Sequence, residues 1–269
     1  MLNELFKGKK GLIMGVANDK SIAWGMAKAL SDAGAELAFT YQGEAFGKRV
    51  KPLAASLGAD ILLDCDVTNE ENLDEVFTTI EQKWGKLDFV VHAIAYSNKE
   101  QLQGRYVDTT LDNFLKTMHI SCYSFTSVMR RAKELMKDGG SAVTLSYYGA
   151  EKVMPNYNVM GVAKAALEAS TRYLAADLGA ENIRVNAISA GPMRTLAGAV
   201  IGGARTTFKY NVLTAPLQRS VELEELGNTG LYLLSELSSA VTGEVHYVDC
   251  GYNAVGMPAH DALKKLKEA

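Results

Sequence analysis

Cysteine is scarce in this sequence, and the three residues present, Cys65, Cys122 and Cys250, are odd in number and lie far apart. The sequence has no CxxC motif and no Cys/His cluster, so it indicates neither a disulfide framework nor a zinc site. We therefore expect no bound metal. Free thiols are typical of a reducing compartment, which favours a cytoplasmic protein.

The sequence also lacks an excess of charge of one sign and any long hydrophobic run. It contains 28 Lys and Arg against 31 Asp and Glu, a formal net charge of −3. This balance provides no electrostatic footprint for nucleic acid and no polybasic patch for a membrane surface. No stretch approaches the roughly 18 consecutive apolar residues of a membrane-spanning helix. We expect no nucleic-acid partner and no membrane segment.

Proline is rare, with five residues in 269, and no linker divides the chain. Short apolar runs alternate with longer amphipathic segments, a pattern typical of βαβ units. The runs are continuously apolar, which indicates helices on both faces of a parallel sheet. The sequence predicts an α/β fold, with one Rossmann-type domain over residues 1–269 and a doubly wound parallel sheet of about seven strands. The predicted strands are residues 10–16, 36–40, 60–64, 89–93, 141–146, 184–189 and 245–249, and the predicted helices are 21–33, 45–57, 69–84, 111–137, 158–178 and 222–237.

Two segments interrupt this alternation, residues 94–108 and 191–219. The second is rich in Gly, Thr and other small residues and shows no clear strand. A loop that long inside a compact domain is usually a lid or a binding loop. Both segments follow the carboxyl ends of predicted strands, where open α/β sheets bind ligands. The sequence therefore predicts a substrate-binding loop at about residues 191–219.

The first predicted strand ends at Gly15, a helix is predicted from Ser21, and Gly25 lies one turn later. Binding of a pyrophosphate needs a glycine for the tight turn, a second one for close helix packing, and a helix N-terminus aimed at the anion. These three residues can fill those roles. The turn is not GxGxxG, so an ordinary strand–turn–helix capped by Ser21 remains an alternative.

The second predicted strand ends at Gln42, where a classical dinucleotide fold reads the adenosine ribose. An acid at this place favours NAD, and a nearby Arg accommodates the 2′-phosphate of NADP. Gln42 can bind ribose hydroxyls but cannot neutralise a phosphate, so we predict NADH rather than NADPH, although Lys48 and Arg49 are close in sequence. Asp66, after the third strand, can accept a bond from the adenine amine or can cap the next helix.

Tyr157 and Lys164 are seven residues apart at the start of a predicted helix. Seven steps of 100° come within about 20° of two full turns, so both side chains share one face. An ammonium beside a phenol is expected to lower the pKa of the tyrosine from about 10 and to make it a usable general acid. Taken alone, this common spacing favours a half-buried tyrosine and a solvated lysine over a catalytic pair.

The order of several motifs resembles the short-chain dehydrogenase/reductase family: Asp66-Val67-Thr68, then Tyr157-x6-Lys164, then Arg184-Val-Asn-Ala leading to Gly191-Pro192. The usual catalytic Ser before the Tyr is replaced by Ser146-Tyr147-Tyr148. The sequence is similar here to one divergent branch of the family. The resemblance rests on Tyr147, ten residues before Tyr157, and on two motifs, Gly15-x5-Ser-Ile-Ala and Ser-Ala-Gly-Pro-x-Arg-Thr195-Leu-Ala. That branch is the bacterial enoyl-acyl-carrier-protein reductases, and the match runs from about residue 7 to 257.

This resemblance implies an NADH-dependent reduction of enoyl thioesters on acyl-carrier protein in type II fatty-acid synthesis, by a homotetramer with an interface around residues 247–257. It implies that Tyr157 stabilises the enolate, that Lys164 holds the nicotinamide ribose, and that Tyr147 is catalytic or positions substrate. Cofactor-binding residues implied by the motif match are Gly15, Ser21, Ile22, Gln42, Asp66, Val67, Ile94, Lys164, Met193, Arg194, Thr195, Leu196 and Ala197, and substrate residues are Ser97, Tyr147, Tyr157 and Met160.

Further features of the 191–219 segment fit this reading. Apolar residues there could wall a slot for an acyl chain or could be the core of short helices. Arg205, Lys209 and Arg219 could meet an acidic carrier protein or could form a solvated face. Two other functions remain as alternatives: a 3-oxoacyl or other carbonyl reductase on the same scaffold, and a non-catalytic NAD-binding sensor.

Overall fold

The computed structural model describes residues 4–196, 198 and 202–267. It contains a seven-stranded, all-parallel sheet in the order β3-β2-β1-β4-β5-β6-β7, which confirms the doubly wound α/β prediction. Each strand lies within two residues of its predicted ends. The strands are β1 Lys10–Met14, β2 Glu36–Tyr41, β3 Ile61–Asp64, β4 Phe89–His92, β5 Gly140–Ser146, β6 Ile183–Ala190 and β7 Val245–Val248.

Five of the six helices that the sequence predicted are present, the sixth is divided, and further helices lie in the two interrupting segments and at the C-terminal end. They are α1 Ile22–Asp32, α2 Gly43–Ser56, α3 Glu70–Trp84, α4 Lys99–Leu102, α5 Leu111–Met118, α6 Ser124–Ala132, α7 Asn158–Leu178, α8 Ala204–Thr214, α9 Leu223–Leu234 and α10 His260–Lys267. Helix α8 shows that much of the predicted 191–219 loop is helical. None of the helices that the structure describes is long and apolar enough to cross a bilayer.

The single helix predicted over residues 111–137 is wrong, because a π-helical turn over His119–Tyr123 separates α5 from α6. A π turn inserts an extra residue and redirects the side chains beside it. Here the buried hydroxyl of Ser121 accepts a bond from the backbone N–H of Tyr96 and donates one to its carbonyl. The local break therefore ties this helix to the segment that follows β4.

The core lies on both faces of the sheet, since successive strand residues point to opposite sides. Val90 of β4 packs in one cluster with α3, α6 and α7, while Val91 packs in the other with α1, α2 and α9. Both valines are completely buried. This two-sided cover explains why the central strands are apolar at every position.

The strand order reverses between β1 and β4, and this is the place where open α/β sheets bind ligands. Gly15, directly after β1, has φ +101°, and a Cβ at this position would lie 2.1 Å from the carbonyl oxygen of Ala93. Only glycine permits this close approach, which leaves the crevice beside the N-terminus of α1 open.

Candidate active site

A cleft of about 1140 Å³ opens at the carboxyl ends of β1, β4, β5 and β6. It gathers residues from both interrupting segments and from the first turns of α1 and α7. Most of the predicted site residues line it: Gly15, Ser21, Ile22, Ile94, Ser97, Tyr147, Tyr157, Met160, Lys164, Met193, Arg194, Thr195 and Leu196. The predicted residue Ala197 lies outside the described residues.

Three predicted cofactor residues are placed farther along the sheet edge. Gln42 and Asp66 follow β2 and β3, and Nε2 of Gln42 donates a 2.8 Å hydrogen bond to Oδ2 of Asp66. Asp66 also accepts bonds from the backbone N–H and the hydroxyl of Thr68, while Asn69 caps α3. Asp66 is therefore not the helix cap. The side chain of Val67 is buried in the core.

The turn between β1 and α1 leaves the start of the helix available to an anion. Oγ of Ser21 accepts bonds from the backbone N–H groups of Ala17 and Asn18, at 3.0 and 3.1 Å, and makes no cap bond to the helix. Ser21 stands at the N-cap position of α1, but its side chain shapes the preceding turn and makes no bond to the helix. The first-turn N–H groups of an α-helix have no intrahelical acceptor, and Ile22 and Ala23 line the cleft. The arrangement suits a pyrophosphate.

Tyr157 and Tyr147 contact each other in the cleft. Their ring centroids are 5.0 Å apart with an interplanar angle of 76°, an edge-to-face contact. Tyr157 is only 7% exposed. Burial, with the neighbouring tyrosine second, raises the pKa of Tyr157 above its usual value, and burial likewise raises the pKa of Tyr147. Both phenols keep their protons at neutral pH and can donate hydrogen bonds.

The expectation that Lys164 lowers the pKa of Tyr157 is wrong. The Nζ of Lys164 donates a 2.6 Å hydrogen bond to the carbonyl oxygen of Leu145. Desolvation therefore dominates at Tyr157, and its effect on the pKa is opposite to that expected from the spacing alone. The same burial lowers the pKa of Lys164 to about 8.

Ser146 and Glu168 form a buried pair that the sequence reasoning missed. Oγ of Ser146, which lines the cleft, donates a short hydrogen bond to Oε1 of Glu168. Burial raises the pKa of this carboxyl. Glu168 lies one turn after Lys164 on the same face of α7, and this i, i+4 spacing was the available signal.

Asn156 and Asn158 flank Tyr157 and were also missed as individual residues. Both have positive φ, at 59° and 37°, a conformation that asparagine tolerates better than most residues. Nδ2 of Asn156 donates to the carbonyl of Gly202 at 2.8 Å, and Nδ2 of Asn158 reaches the carbonyl of Gly104 at 3.3 Å. The two amides connect the start of α7 to both segments that border the cleft.

Ser97 lines the cleft, but its hydroxyl belongs to a buried network. Oγ of Ser97 accepts a 3.2 Å bond from Nδ2 of Asn113 and a 3.0 Å bond from Oγ1 of Thr117. These contacts anchor the segment after β4 to α5. The network leaves Ser97 with a structural role in addition to the predicted substrate contact.

The apolar wall predicted from the 191–219 segment is present in part. Leu196, Phe208 and Met160 line the cleft, and Met154 and Leu102 join them, whereas residues 197 and 199–201 lie outside the described residues. Of the basic residues, Arg205 borders the cleft, Lys209 is exposed, and Arg219 pairs with Glu225 at 2.6 Å. In the part of the chain that the structure describes, no group of three or more His, Cys, Asp or Glu could hold a metal.

Comparisons with known proteins agree with this geometry. A relative from Rhizobium meliloti (strain 1021), enoyl-[acyl-carrier-protein] reductase [NADH] 1, is 65% identical over 96% of this chain and 95% of its own length. The crystal structure of FabI from Candidatus Liberibacter asiaticus has a TM-score of 0.94 at 57% identity, covering 96% of this chain and 100% of that one.

Two further solved structures contain nicotinamide cofactors. The enzyme from Anaplasma phagocytophilum, in complex with NAD, has a TM-score of 0.92 at 58% identity and covers 95% of this chain and 97% of that one. The Bacillus cereus enzyme, with NADP+ and indole naphthyridinone, has a TM-score of 0.92 at 49% identity and covers 94% of this chain and 100% of that one. The family model described as "Enoyl-(Acyl carrier protein) reductase" matches residues 15–253. The chain therefore belongs to the enoyl-(acyl carrier protein) reductase family.

Proposed function

We propose that the protein is an NADH-dependent enoyl-[acyl-carrier-protein] reductase, which reduces the trans-2 double bond of enoyl thioesters in type II fatty-acid synthesis. The observation that carries the proposal is the buried contact between Tyr147 and Tyr157 in the cleft, with Lys164 two turns along α7. The family and the names of its relatives support the same reaction.

The residues at the switch point fit a dinucleotide. Gly15 leaves space that a Cβ would fill, and the first turn of α1 offers N–H groups to a pyrophosphate. Gln42 and Asp66 would contact the adenosine end, and Ile94 with residues 193–196 would border the nicotinamide end. When bound, NADH supplies the hydride that reduces C3 of the enoyl thioester.

Tyr157 would stabilise the negative charge that develops on the thioester oxygen. Its phenol is protonated at neutral pH and is largely buried, and a preorganised donor in such a site is worth more than in water. The raised pKa thus suits a hydrogen-bond donor, and no phenolate is needed. The ammonium of Lys164 would bind the ribose hydroxyls of the cofactor. It would either leave the Leu145 carbonyl or keep that bond while also contacting the ribose.

Tyr147 would contact the substrate beside Tyr157, either as proton donor or as a positioning group. Its ring borders the cleft and touches Tyr157. Met160 and Phe208 would enclose the first carbons of the acyl chain. Residues 1–269 would act as one reductase domain, with the 191–219 segment over the substrate.

The substrate implies an acyl-carrier protein as partner. Arg205, which borders the cleft, and the exposed Lys209 would meet its acidic surface. We infer a cytoplasmic homotetramer. Exposed apolar side chains support association of copies: Leu111 is 72% exposed, Tyr173 75% and Met257 72%. Light scattering of the purified protein measures the oligomer directly.

Oxidation of NADH with crotonyl-CoA tests the reaction. We expect turnover with crotonyl-CoA and little with acetoacetyl-CoA, because Tyr147 stands where a carbonyl reductase of the wider family has its serine. Faster reduction of acetoacetyl-CoA would favour the 3-oxoacyl reductase. Cofactor binding without turnover of enoyl-CoA or enoyl-carrier substrates would favour the sensor.

A further inference from the structure

Two carboxylates accept hydrogen bonds from the groups that follow the carboxyl end of β2. The backbone N–H of Gly43 donates to Oδ1 of Asp64 at 2.7 Å, and Nε2 of Gln42 donates to Oδ2 of Asp66 at 2.8 Å. The register of the sheet brings them there, since Tyr41 pairs with Asp64 across β2 and β3. Residues that are more than 20 positions apart in sequence thus share one small surface.

This surface is where a dinucleotide-binding fold reads the 2′ position of the adenosine ribose. Gly43 is the first residue of α2, so its N–H is a natural donor to an anion. With φ +69° and no atom within 4 Å of a Cβ built on it, Gly43 leaves the approach open. A bare helix start here would suit the 2′-phosphate of NADPH.

The charges around this helix start oppose that phosphate. Asp64 is exposed beside Gly43. Partial burial raises the pKa of Asp66, but hydrogen bonds from Thr68 and Gln42 outweigh this effect and hold it below the usual value, so Asp66 is ionised at neutral pH.

Nearby cations offer the phosphate little compensation. Nζ of Lys48 lies 3.3 Å from the carboxylate of Glu44, and Nζ of Lys51 lies 5.4 Å from the ring centroid of Tyr41. Arg49 is six residues past Gly43, on the second turn of α2. The Gly43 N–H and the Gln42 amide, by contrast, both donate to carboxylates.

We propose that Asp64, supported by Asp66, is a specificity determinant that rejects the 2′-phosphate of NADPH and so makes the protein select NADH. Asp64 acts by occupying the Gly43 N–H and by repelling a group of about −1.5 to −2 charge. This inference rests on the proposed function only in taking a nicotinamide dinucleotide as the ligand.

The test is the variant Asp64→Asn, with binding of NADH and of NADPH measured by fluorescence titration in the absence of substrate. An asparagine can still accept the Gly43 N–H, so the variant removes charge and keeps the local fold. A unit charge about 6 Å from a phosphate dianion in water changes affinity by about three- to tenfold. We expect NADPH affinity to rise by that factor, with NADH affinity changed less than about twofold.

The matched control is Asp60→Asn, which removes the same charge just before the opposite end of β3 and should leave the ratio of the two affinities unchanged. The preference of the unmodified protein for NADH should also shrink as salt rises, since screening weakens an exposed repulsion. An equal change of both affinities in Asp64→Asn, or no change in either, would overturn the proposal.

The proposed function and this inference fail in different ways. If the unmodified protein binds NADPH as tightly as NADH yet reduces crotonyl-CoA, the inference fails and the reductase stands. If it binds NADH selectively, Asp64→Asn relaxes the selection and crotonyl-CoA is not reduced, the inference stands and the reaction fails. Binding of neither dinucleotide refutes both.

Discussion

Lys164 donates a 2.6 Å hydrogen bond from its ammonium to the carbonyl oxygen of Leu145, at the end of β5. This bond joins α7 to the sheet in the cleft that the two tyrosines also line. Lys164 is only 6% exposed, and the contact partly offsets the cost of burying its charge. The side chain is thereby held at the cleft wall.

If Lys164 holds the nicotinamide ribose as proposed, its burial should make the capture of NADH dependent on pH. Its pKa is lowered to about 8 by burial, so the free protein loses the ammonium as pH rises through 8. We expect kcat/KM for NADH to fall above about pH 8, because this ratio reports the free enzyme. Lys164→Arg, whose guanidinium stays charged, should move or abolish that limb. A flat profile to pH 10 in the unmodified protein would contradict this assignment.

The lowered pKa of Lys164 also affects stability, and here the effect is favourable as pH rises. The folded pKa of Lys164 is below the ordinary 10.5, so the unfolded chain binds more protons between pH 8 and 10.5. The contribution of this residue to the free energy of unfolding therefore rises with pH across that window. Urea unfolding of the protein and of Lys164→Met across the window measures the difference.

Tyr157→Phe removes the donor proposed for the developing oxyanion and leaves the ring in place. Loss of one such donor costs about 10²–10³ in kcat. We expect that loss in the reduction of crotonyl-CoA, with NADH affinity unchanged in a fluorescence titration. Unchanged turnover would remove Tyr157 from the mechanism.

Tyr147→Phe separates the two roles open to Tyr147. If Tyr147 is the proton donor, we expect the variant to have a lower kcat and a smaller solvent isotope effect. If Tyr147 only positions the substrate, we expect a higher KM for the thioester with little change in kcat. The retained ring keeps the edge contact with Tyr157 in both cases.

Glu168 should oppose folding at neutral pH when ionised. Burial raises its pKa above the ordinary 4.5, so its contribution to stability is complete below pH 4.5 and is lost as pH rises through the folded value. Glu168→Gln, which still accepts from Ser146, should gain stability relative to the unmodified protein as pH increases from 4 to 8. Urea unfolding measures this, with the exposed Glu75→Gln as control. A difference that is independent of pH would show that the pKa of Glu168 is the same in the folded and unfolded states, which would contradict the raised value.

The strain at Asn156 can be separated from its hydrogen bond. Asn156→Ala and Asn156→Gly both remove the bond to the Gly202 carbonyl, but only alanine is disfavoured at φ 59°. We expect the alanine variant to be less stable than the glycine variant by about 1–2 kcal/mol in thermal unfolding. Both variants should raise KM for the thioester if this bond positions the segment over the cleft. Equal stabilities would mean that the backbone relaxes at this residue.

Several features of the fold and site followed from the sequence alone. The spacing and the length of the apolar runs predicted the parallel sheet, because a strand that is covered on both faces is apolar throughout. Gly15 predicted the turn that borders the cleft, because it depends on local geometry within one strand–turn–helix unit. The spacing of Tyr157 and Lys164 predicted that both line the cleft, because it depends on a single helix face. The comparisons confirmed the family that the motif order resembled.

Only the tertiary structure decided the electrostatics and the long-range partners. The pKa of Tyr157 rises because packing buries it, and no spacing along α7 reports how much water packing excludes. The π turn at Ser121 and the bond between Asp64 and Gly43 depend on contacts between distant segments. Local sequence determines which residues can share a strand or a helix face. The whole chain sets burial and the register between strands, and these determine the charge that each group carries and the residues that it contacts.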